Sequence, residues 1–269
     1  AALRSNLRRA REAAPGSAVF AAIKAQGYGH GLTWCARELA DGCEGFAVAT
    51  AGEGVALRDA GLRVHRICVL NGCADREELR ACAAHALEPL VHQSWQLEAI
   101  EAGLAASPLR VWLKIDSGMG RIGVPPAVVP AWHARLAAAA AVHGPVGLMT
   151  HLASADERDC DYTRQQLATF EQATRGLAGP RSVANSAGVL GWPATHADWV
   201  RPGIMLYGCS PFVEGAEPGL GLEPVMTLRT RLIAINQLEA GAPIGYGRTY
   251  HCPEEIGRAS CRERVYCEV

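Results

Sequence analysis

The feature that most constrains the fold of this chain is a regular alternation of short β-rich runs with helical stretches. Between the runs, apolar residues recur every three or four positions, as at Leu32, Cys35 and Leu39, which is typical of amphipathic helices. Several β-rich runs are almost continuously apolar, as parallel strands buried on both faces are. Eight candidate strands are present, at residues 18–24, 45–49, 66–70, 87–91, 110–116, 146–151, 181–185 and 199–201.

Eight strand–helix repeats over about 200 residues predict an α/β fold of the (β/α)8 TIM-type barrel class, whose usual size is about 200–250 residues. A doubly wound parallel sheet is the alternative.

Two helix starts can also be predicted. Asp75 and Glu78 have the spacing of a capping box, and Ser94 is a candidate cap for the helix that follows it.

The pattern changes after Gly208, so we assign residues 1–208 to the barrel. Residues 225–237 alternate apolar and polar side chains with no helix before the next strand-like stretch, and Gly241-Ala242-Pro243 is typical of a turn. We expect residues 209–254 to form a linker and an incomplete β domain.

The last segment, residues 255–269, has neither strand nor helix periodicity, and three of the ten cysteines fall in the final eighteen residues. It resembles read-through of a sequencing adapter, and we predict a non-native tail there. Since the chain also starts without Met, we expect a gene fragment open at both ends.

The composition excludes several classes of protein. Hydrophobic residues make up 49% and charged residues 20% of the 269, which is enough to bury a sizeable core. The net charge of −1 gives no basic patch for nucleic acid. No apolar run approaches the roughly 18–20 residues of a membrane span, and the first residues are too polar for a secretion signal. A cytoplasmic protein that binds neither nucleic acid nor membrane is expected.

The ten cysteines do not indicate a disulfide framework or a metal site. Their spacing is irregular and no CxxC pair occurs, so neither a zinc ribbon nor a thioredoxin motif is available. Cys35, Cys68 and Cys82 lie at apolar periodic positions and are interpreted as small core residues. We therefore predict reduced thiols and no metal.

Residues able to do chemistry gather where the predicted strands end, which is the working face of such a barrel. Taken one at a time, each has a plain structural alternative: Lys24 as a surface residue, Lys114 and Asp116 as a buried ion pair, His151 as a structural histidine. Ser186 follows the seventh strand, and the amides after the eighth open a short helix, where such barrels commonly hold a phosphate. The residues at these strand ends are Lys24, Lys114, Asp116, Arg121, His151, Asn185, Ser186, Arg201, Gly203 and Ile204.

A lysine, a phosphate cradle, a histidine and an arginine on one rim suggest a pyridoxal phosphate site in which the lysine forms a Schiff base. The motifs that carry these residues resemble, in order, those of the alanine racemases. The matching segments are IKAQGYGHG, LKIDSGMGRIG, THLASADE, ANSAGVL, VRPGIMLYGCSP and LEPVMTLRTRL with GYGRTY, over about residues 1–254.

The resemblance implies a set of residues that bind the cofactor. Lys24 would be the Schiff-base lysine, His151 the histidine beside the cofactor ring, and Arg201 the arginine facing the pyridine nitrogen. The positions matching the rest of the cofactor site are Tyr28, Asn185, Ser186, Gly203 and Ile204.

The resemblance also implies the catalytic groups. Lys24 and Tyr246 would be the two bases, one on each face of the substrate, with Tyr246 supplied across a homodimer interface. Arg121 would orient the second base and meet the substrate carboxylate, and Lys114 matches a position often carbamylated in the family. Without the resemblance, Tyr246 between two glycines could be an ordinary strand aromatic.

The resulting hypothesis is interconversion of L- and D-alanine by a two-base mechanism with pyridoxal 5'-phosphate, supplying D-alanine for peptidoglycan. One alternative is a serine or broad-specificity racemase of the same lineage. Another is a barrel that binds the cofactor without turnover, although such a carrier needs no second base on an added β domain. If the β domain stops near Pro253, the isolated chain would bind weakly or fail to turn over.

Overall fold

The protein is described here by a computed structural model that covers residues 1–104, 107–213, 219–231, 234–254, 256–260 and 265–268. Contacts divide the chain into two units, residues 1–225 and residues 226–269. The predicted boundaries at residues 208 and 254 are not tested by this division and stay predictions.

The first unit is built on a closed barrel of eight parallel strands. Each strand pairs with the next along the chain, and β8 pairs with β1 through Ala18 beside Trp199. The predicted (β/α)8 barrel is therefore confirmed, and the doubly wound sheet is excluded because that sheet is open. The strands are β1 (Ala18–Ala22), β2 (Gly45–Val48), β3 (Arg66–Val69), β4 (Glu88–Val91), β5 (Trp112–Lys114), β6 (Gly147–Met149), β7 (Arg181–Ser182) and β8 (Trp199–Val200).

Helices pack around the outside of the barrel. The helix α1 precedes β1, and a segment of five residues, α2, follows that strand. The helices are α1 (Ala2–Ala13), α2 (Lys24–Tyr28), α3 (Leu32–Leu39), α4 (Ala51–Asp59), α5 (Arg76–Ala84), α6 (Ser94–Glu101), α7 (Val129–Ala138), α8 (Tyr162–Ala173) and α9 (Ser186–Gly191).

Most strands end earlier than the sequence predicts. β1 ends at Ala22 and the seventh strand at Ser182, whereas apolar residues continue to Ile23 and Ala184. Ile23, Val183 and Ala184 are buried although they lie beyond the ends of their strands, so buried apolar residues extend further than the strands do. Lys24 thus belongs to α2 and not to the first strand.

The N-terminal end of the barrel is closed by an ion pair among aromatic rings. Arg66 donates two hydrogen bonds of 2.6 Å to Glu88, and the indole N–H of Trp112 donates a third to the same carboxylate. The Arg66 guanidinium lies 4.5 Å from the centre of the Trp199 ring. The interior residues are Phe20, Ala22, Ala47, Cys68, Leu90, Trp112, Met149 and Trp199.

The second unit, described by itself, consists of antiparallel strand pairs. β10 pairs with β13, β11 with β12, and β9 with β14. The predicted tail at residues 255–269 contains β13 and β14; its origin stays a prediction. The strands are β9 (Thr227–Thr230), β10 (Ala234–Leu238), β11 (Pro243–Ile244), β12 (Tyr250–His251), β13 (Ile256–Ser260) and β14 (Val265–Glu268). Among the described residues of both units, no helix is long and apolar enough to cross a membrane.

Candidate active site

A cavity of about 490 Å³ lies in the barrel unit, and the ends of several strands contribute to its wall. The structure brings ten of the sequence-predicted site residues together around it, although they come from five different strand ends. They are Lys24, Tyr28, Lys114, Arg121, His151, Asn185, Ser186, Arg201, Gly203 and Ile204.

Lys24 reaches this cavity from an unusual piece of backbone. Ala25, Gln26 and Gly27 have φ of 53°, 55° and 64° with positive ψ, so α2 is wound left-handed. Each non-glycine residue in that region costs about 1–2 kcal/mol. A Cβ atom on Gly27 would lie 2.6 Å from the Sγ of Cys35, so glycine is required there by space as well as by φ.

The amine of Lys24 is tuned by its surroundings. Partial burial lowers its pKa, and the positive charges of Arg121 and Arg201 lower it further, while Glu53 opposes them. A lowered pKa increases the fraction of neutral amine near pH 7, and only the neutral amine is nucleophilic or able to accept a proton.

The loops after β7 and β8 form a cluster of hydrogen-bonding groups. The Ser186 hydroxyl oxygen accepts from the amides of Gly203, at 2.8 Å, and Met205, at 3.3 Å, which leaves its own proton available for a ligand. A Cβ atom on Gly203 would lie 2.6 Å from the Tyr28 hydroxyl oxygen, so only glycine allows the backbone this close to Tyr28. Asn185 caps the start of α9 by accepting from the Gly188 amide.

Arg201 is buried and fixed by the carbonyl groups around it. Its Nη2 donates to the carbonyl oxygens of Thr150, at 2.6 Å, and Val183, at 3.2 Å, and its Nη1 donates to the Ser182 hydroxyl. Burial lowers its pKa to about 10, so the guanidinium stays charged at neutral pH. The cavity thus contains a permanent cation held in one orientation.

His151 lies against this cation. Its Nδ1 is 3.2 Å from Arg201 Nη2, and because a guanidinium has only donors, Nδ1 must accept and the proton of the neutral ring lies on Nε2. Burial, with the charge of Arg201 next in importance, lowers the pKa of His151 well below its usual value. His151 is therefore a neutral hydrogen-bonding group and not a second cation.

Lys114 and Asp116 were the candidates for a buried ion pair. In the structure each of them instead forms hydrogen bonds with backbone groups. The Lys114 Nζ donates to the carbonyl of Ile115, and the Asp116 carboxylate accepts from the amides of Gly118 and Gly120. Burial, followed by the charge of Arg201, lowers the pKa of Lys114 to about 7. Arg121 lines the same cavity from an exposed position on the loop after β5.

Sequence reasoning missed part of the cavity wall and one signal that identifies its centre. Asp156, on the loop after β6, lines the cavity, as do Asn71 and Met149. The sequence contains 24 arginines but only two lysines, Lys24 and Lys114, and both line this cavity. Lysine, unlike arginine, can be made neutral by burial, so its restriction to these two positions marks the site.

Tyr246 lies in the second unit, at the start of a short 3-10 helix, Tyr246–Arg248, with 87% of its surface exposed. Its predicted part in catalysis across a dimer interface stays a prediction.

Comparison with known proteins decides the family. Residues 1–211 match the family model described as the N-terminal domain of alanine racemase. The chain belongs to the alanine racemase family. An alanine racemase of Halorhodospira halophila is 53% identical over 95% of this chain and 70% of its own length, and a catabolic alanine racemase of Pseudomonas aeruginosa is 49% identical over 93% and 70%. The family prediction from the ordered motifs is confirmed.

Solved alanine racemase structures share the same architecture. The biosynthetic enzyme of Pseudomonas aeruginosa superposes with a TM-score of 0.85 at 40% identity, covering 97% of this chain and 73% of that one. An alanine racemase of Bartonella henselae, described with covalently bound pyridoxal phosphate, superposes with a TM-score of 0.83 at 25% identity over 96% and 72%.

Proposed function

We propose that this chain interconverts L- and D-alanine by a two-base mechanism, with pyridoxal 5'-phosphate held in the barrel cavity by Lys24. The observation that carries the proposal is the meeting, in one cavity, of a lysine with lowered pKa, a buried arginine and a cluster of hydrogen-bonding groups that suit a phosphate. The family to which the chain belongs supports alanine as the substrate.

The residues present suit this cofactor. Pyridoxal phosphate needs an amine for its aldehyde and donors for its phosphate, and Lys24 and the Ser186–Gly203–Tyr28 cluster are separate parts of the same cavity wall. The charge of the cavity also suits an anionic cofactor and substrate. The described cavity residues include one carboxylate, Asp156, and four basic side chains, those of Lys24, Lys114, Arg121 and Arg201. A phosphate and a substrate carboxylate would both be attracted there.

When bound, pyridoxal phosphate supplies an electron sink that stabilises negative charge on the Cα atom of an amino acid. The protein must then remove a proton from one face of Cα and return one to the other. The lowered pKa of Lys24 favours the neutral amine that is needed on one face. We assign the other face to the Tyr246 phenol, supplied by the second subunit of a homodimer.

Arg201 and His151 direct the chemistry toward racemisation. If pyridoxal phosphate binds with its pyridine nitrogen near Arg201, this fixed guanidinium would disfavour protonation of the nitrogen, and so would weaken the electron sink and suppress transamination. His151 is neutral in the structure and therefore adds no further charge at the ring.

Arg121 and Lys114 are assigned to the substrate side. Arg121 can form a bidentate hydrogen bond with the substrate carboxylate, a pairing that its planar guanidinium favours. Lys114 adds a donor whose charge varies near pH 7. We further propose that the product D-alanine is used in the cytoplasm for peptidoglycan, and growth of a D-alanine-requiring bacterium expressing the chain tests this use.

The direct test measures racemisation of L-alanine in deuterium oxide with added pyridoxal phosphate, followed by chiral separation. We expect D-alanine carrying deuterium at Cα, and the reverse from D-alanine. Lys24→Ala should lower the rate by at least about 10²–10⁴-fold, because it removes an acid–base group and the cofactor's anchor. Equal turnover of serine would instead indicate a broad-specificity racemase, and cofactor binding without exchange would indicate a carrier.

A further inference from the structure

Glu53 connects two segments at the mouth of the barrel. It lies in the first turn of α4, and its carboxylate accepts from two backbone amides in different parts of the chain. One Oε accepts from Ala49 N at 2.8 Å, where β2 leads into α4, and the other accepts from Gln26 N at 3.2 Å, within the left-handed α2 segment. The second bond reaches the segment that begins with Lys24.

Helix capping accounts for only one of these bonds. A glutamate at this position commonly accepts from an amide just before its own helix, and the bond to Ala49 is of that kind. The bond to Gln26 is not part of the cap of α4, because it crosses to α2, 27 residues away in the sequence. In this bond the Gln26 amide of α2 donates to a side chain of α4.

The α2 segment needs such a contact. Its left-handed residues are strained, and a strained conformation persists only when surrounding structure enforces it. The negative charge of Glu53 also acts on Lys24: it raises the pKa of the amine and so opposes Arg121 and Arg201.

We propose that Glu53 is a positioning residue for Lys24: its carboxylate ties α2 to the start of α4 and so fixes where the Lys24 amine enters the cavity. The inference rests on the proposed function in one respect, that Lys24 is the residue that holds the cofactor. Glu53 itself does not line the cavity and so acts through Lys24.

The first test titrates the Lys24 amine in the chain without cofactor. Reductive ¹³C-methylation labels only Lys24, Lys114 and the terminal amine, because the sequence has two lysines. Lys24→Arg and Lys114→Arg assign the signals. In Glu53→Gln we expect the Lys24 signal to titrate at lower pH than in the wild type, while the Lys114 signal stays in place, since Glu53 acts on Lys24 but is not among the charges that act on Lys114.

The second test separates position from charge. Glu53→Asp keeps the negative charge but shortens the side chain, which withdraws the carboxylate. We therefore expect the Lys24 signal of this variant to titrate at a pH close to that of the wild type. We expect both variants to capture added pyridoxal phosphate, fixed with borohydride, about tenfold more slowly than the wild type, because misplacement of a reacting group slows its reaction. Glu101→Gln, which breaks an exposed ion pair with Arg135 outside the barrel, is the control and should change neither readout.

Capture within twofold of the wild type in the folded Asp variant would overturn the proposal, and so would an unmoved Lys24 titration in a folded Gln variant. If Glu53→Gln does not fold, capture by Glu53→Asp decides alone. If the variants show both effects while the wild type fails to racemise alanine, the proposed function is refuted and the role of Glu53 stands.

Discussion

At the scale of single residues, the cavity depends on the difference between lysine and arginine. Burial lowers the pKa of Lys114 to about 7 but leaves Arg201, which is equally buried, charged. The two kinds of cation therefore have different roles. Arginine provides a permanent charge that can orient a ligand, and lysine provides an amine that can exchange protons near neutral pH.

Lys114 should make folding stability depend on pH. Its pKa is lower in the folded chain, about 7, than in the unfolded chain, near 10.5, so between those values the unfolded state binds more protons and stability rises with pH. Without cofactor, Lys114→Met should be more stable than the wild type near pH 6.5. That advantage should shrink as pH rises, by at most about 1.4 kcal/mol per unit. Urea unfolding of both proteins at pH values from 6.5 to 9.5 measures this difference in the free energy of unfolding.

The control for this titration is Arg80→Met, at an exposed position on α5, because arginine does not titrate in this range. Its stability difference from the wild type should stay constant with pH. An equally constant difference for Lys114→Met would show that Lys114 is not charged differently in the two states.

At the scale of elements, sequence signals were informative where a local interaction decides the structure. Asp75 caps α5, as predicted, by accepting from the amides of Glu77 and Glu78. The prediction for Ser94 was wrong by one residue, because Gln93 and Gln96 form the capping box and Ser94 starts the helix. The left-handed winding of α2 was not predicted, because non-glycine residues such as Ala25 and Gln26 seldom adopt positive φ.

That winding predicts an unusual effect of glycine. Gln26 is exposed and has φ of 55°, a conformation that glycine adopts without steric cost. We expect Gln26→Gly to raise the free energy of unfolding by about 0.5–1 kcal/mol, the strain relieved less the added entropy of the unfolded chain. Gln165→Gly, in the right-handed α8, should lower it by about 1 kcal/mol. Destabilisation by both variants would contradict a strained α2.

At the scale of the whole molecule, the repeat of eight strands and helices was enough to predict the barrel, because burial on both faces and connection length leave few other arrangements. The same rule placed Lys24, Ser186 and Arg201 at one end of it. Asp156 was missed because an acidic residue in a loop has the same local pattern whether it faces water or a cavity. The proposed role of Tyr246 would require a second subunit, which local sequence pattern does not encode.

The most direct test of the central claim, that Lys24 and Tyr246 of two subunits act on one alanine, is to mix two inactive variants. Lys24→Ala and Tyr246→Phe, dissociated and reassociated together in equal amounts with pyridoxal phosphate, form mixed dimers that contain one intact site. Random reassociation in a two-fold dimer predicts recovery of about a quarter of the wild-type racemisation rate. A mixture that sediments as a dimer, binds the cofactor and stays inactive would contradict the account.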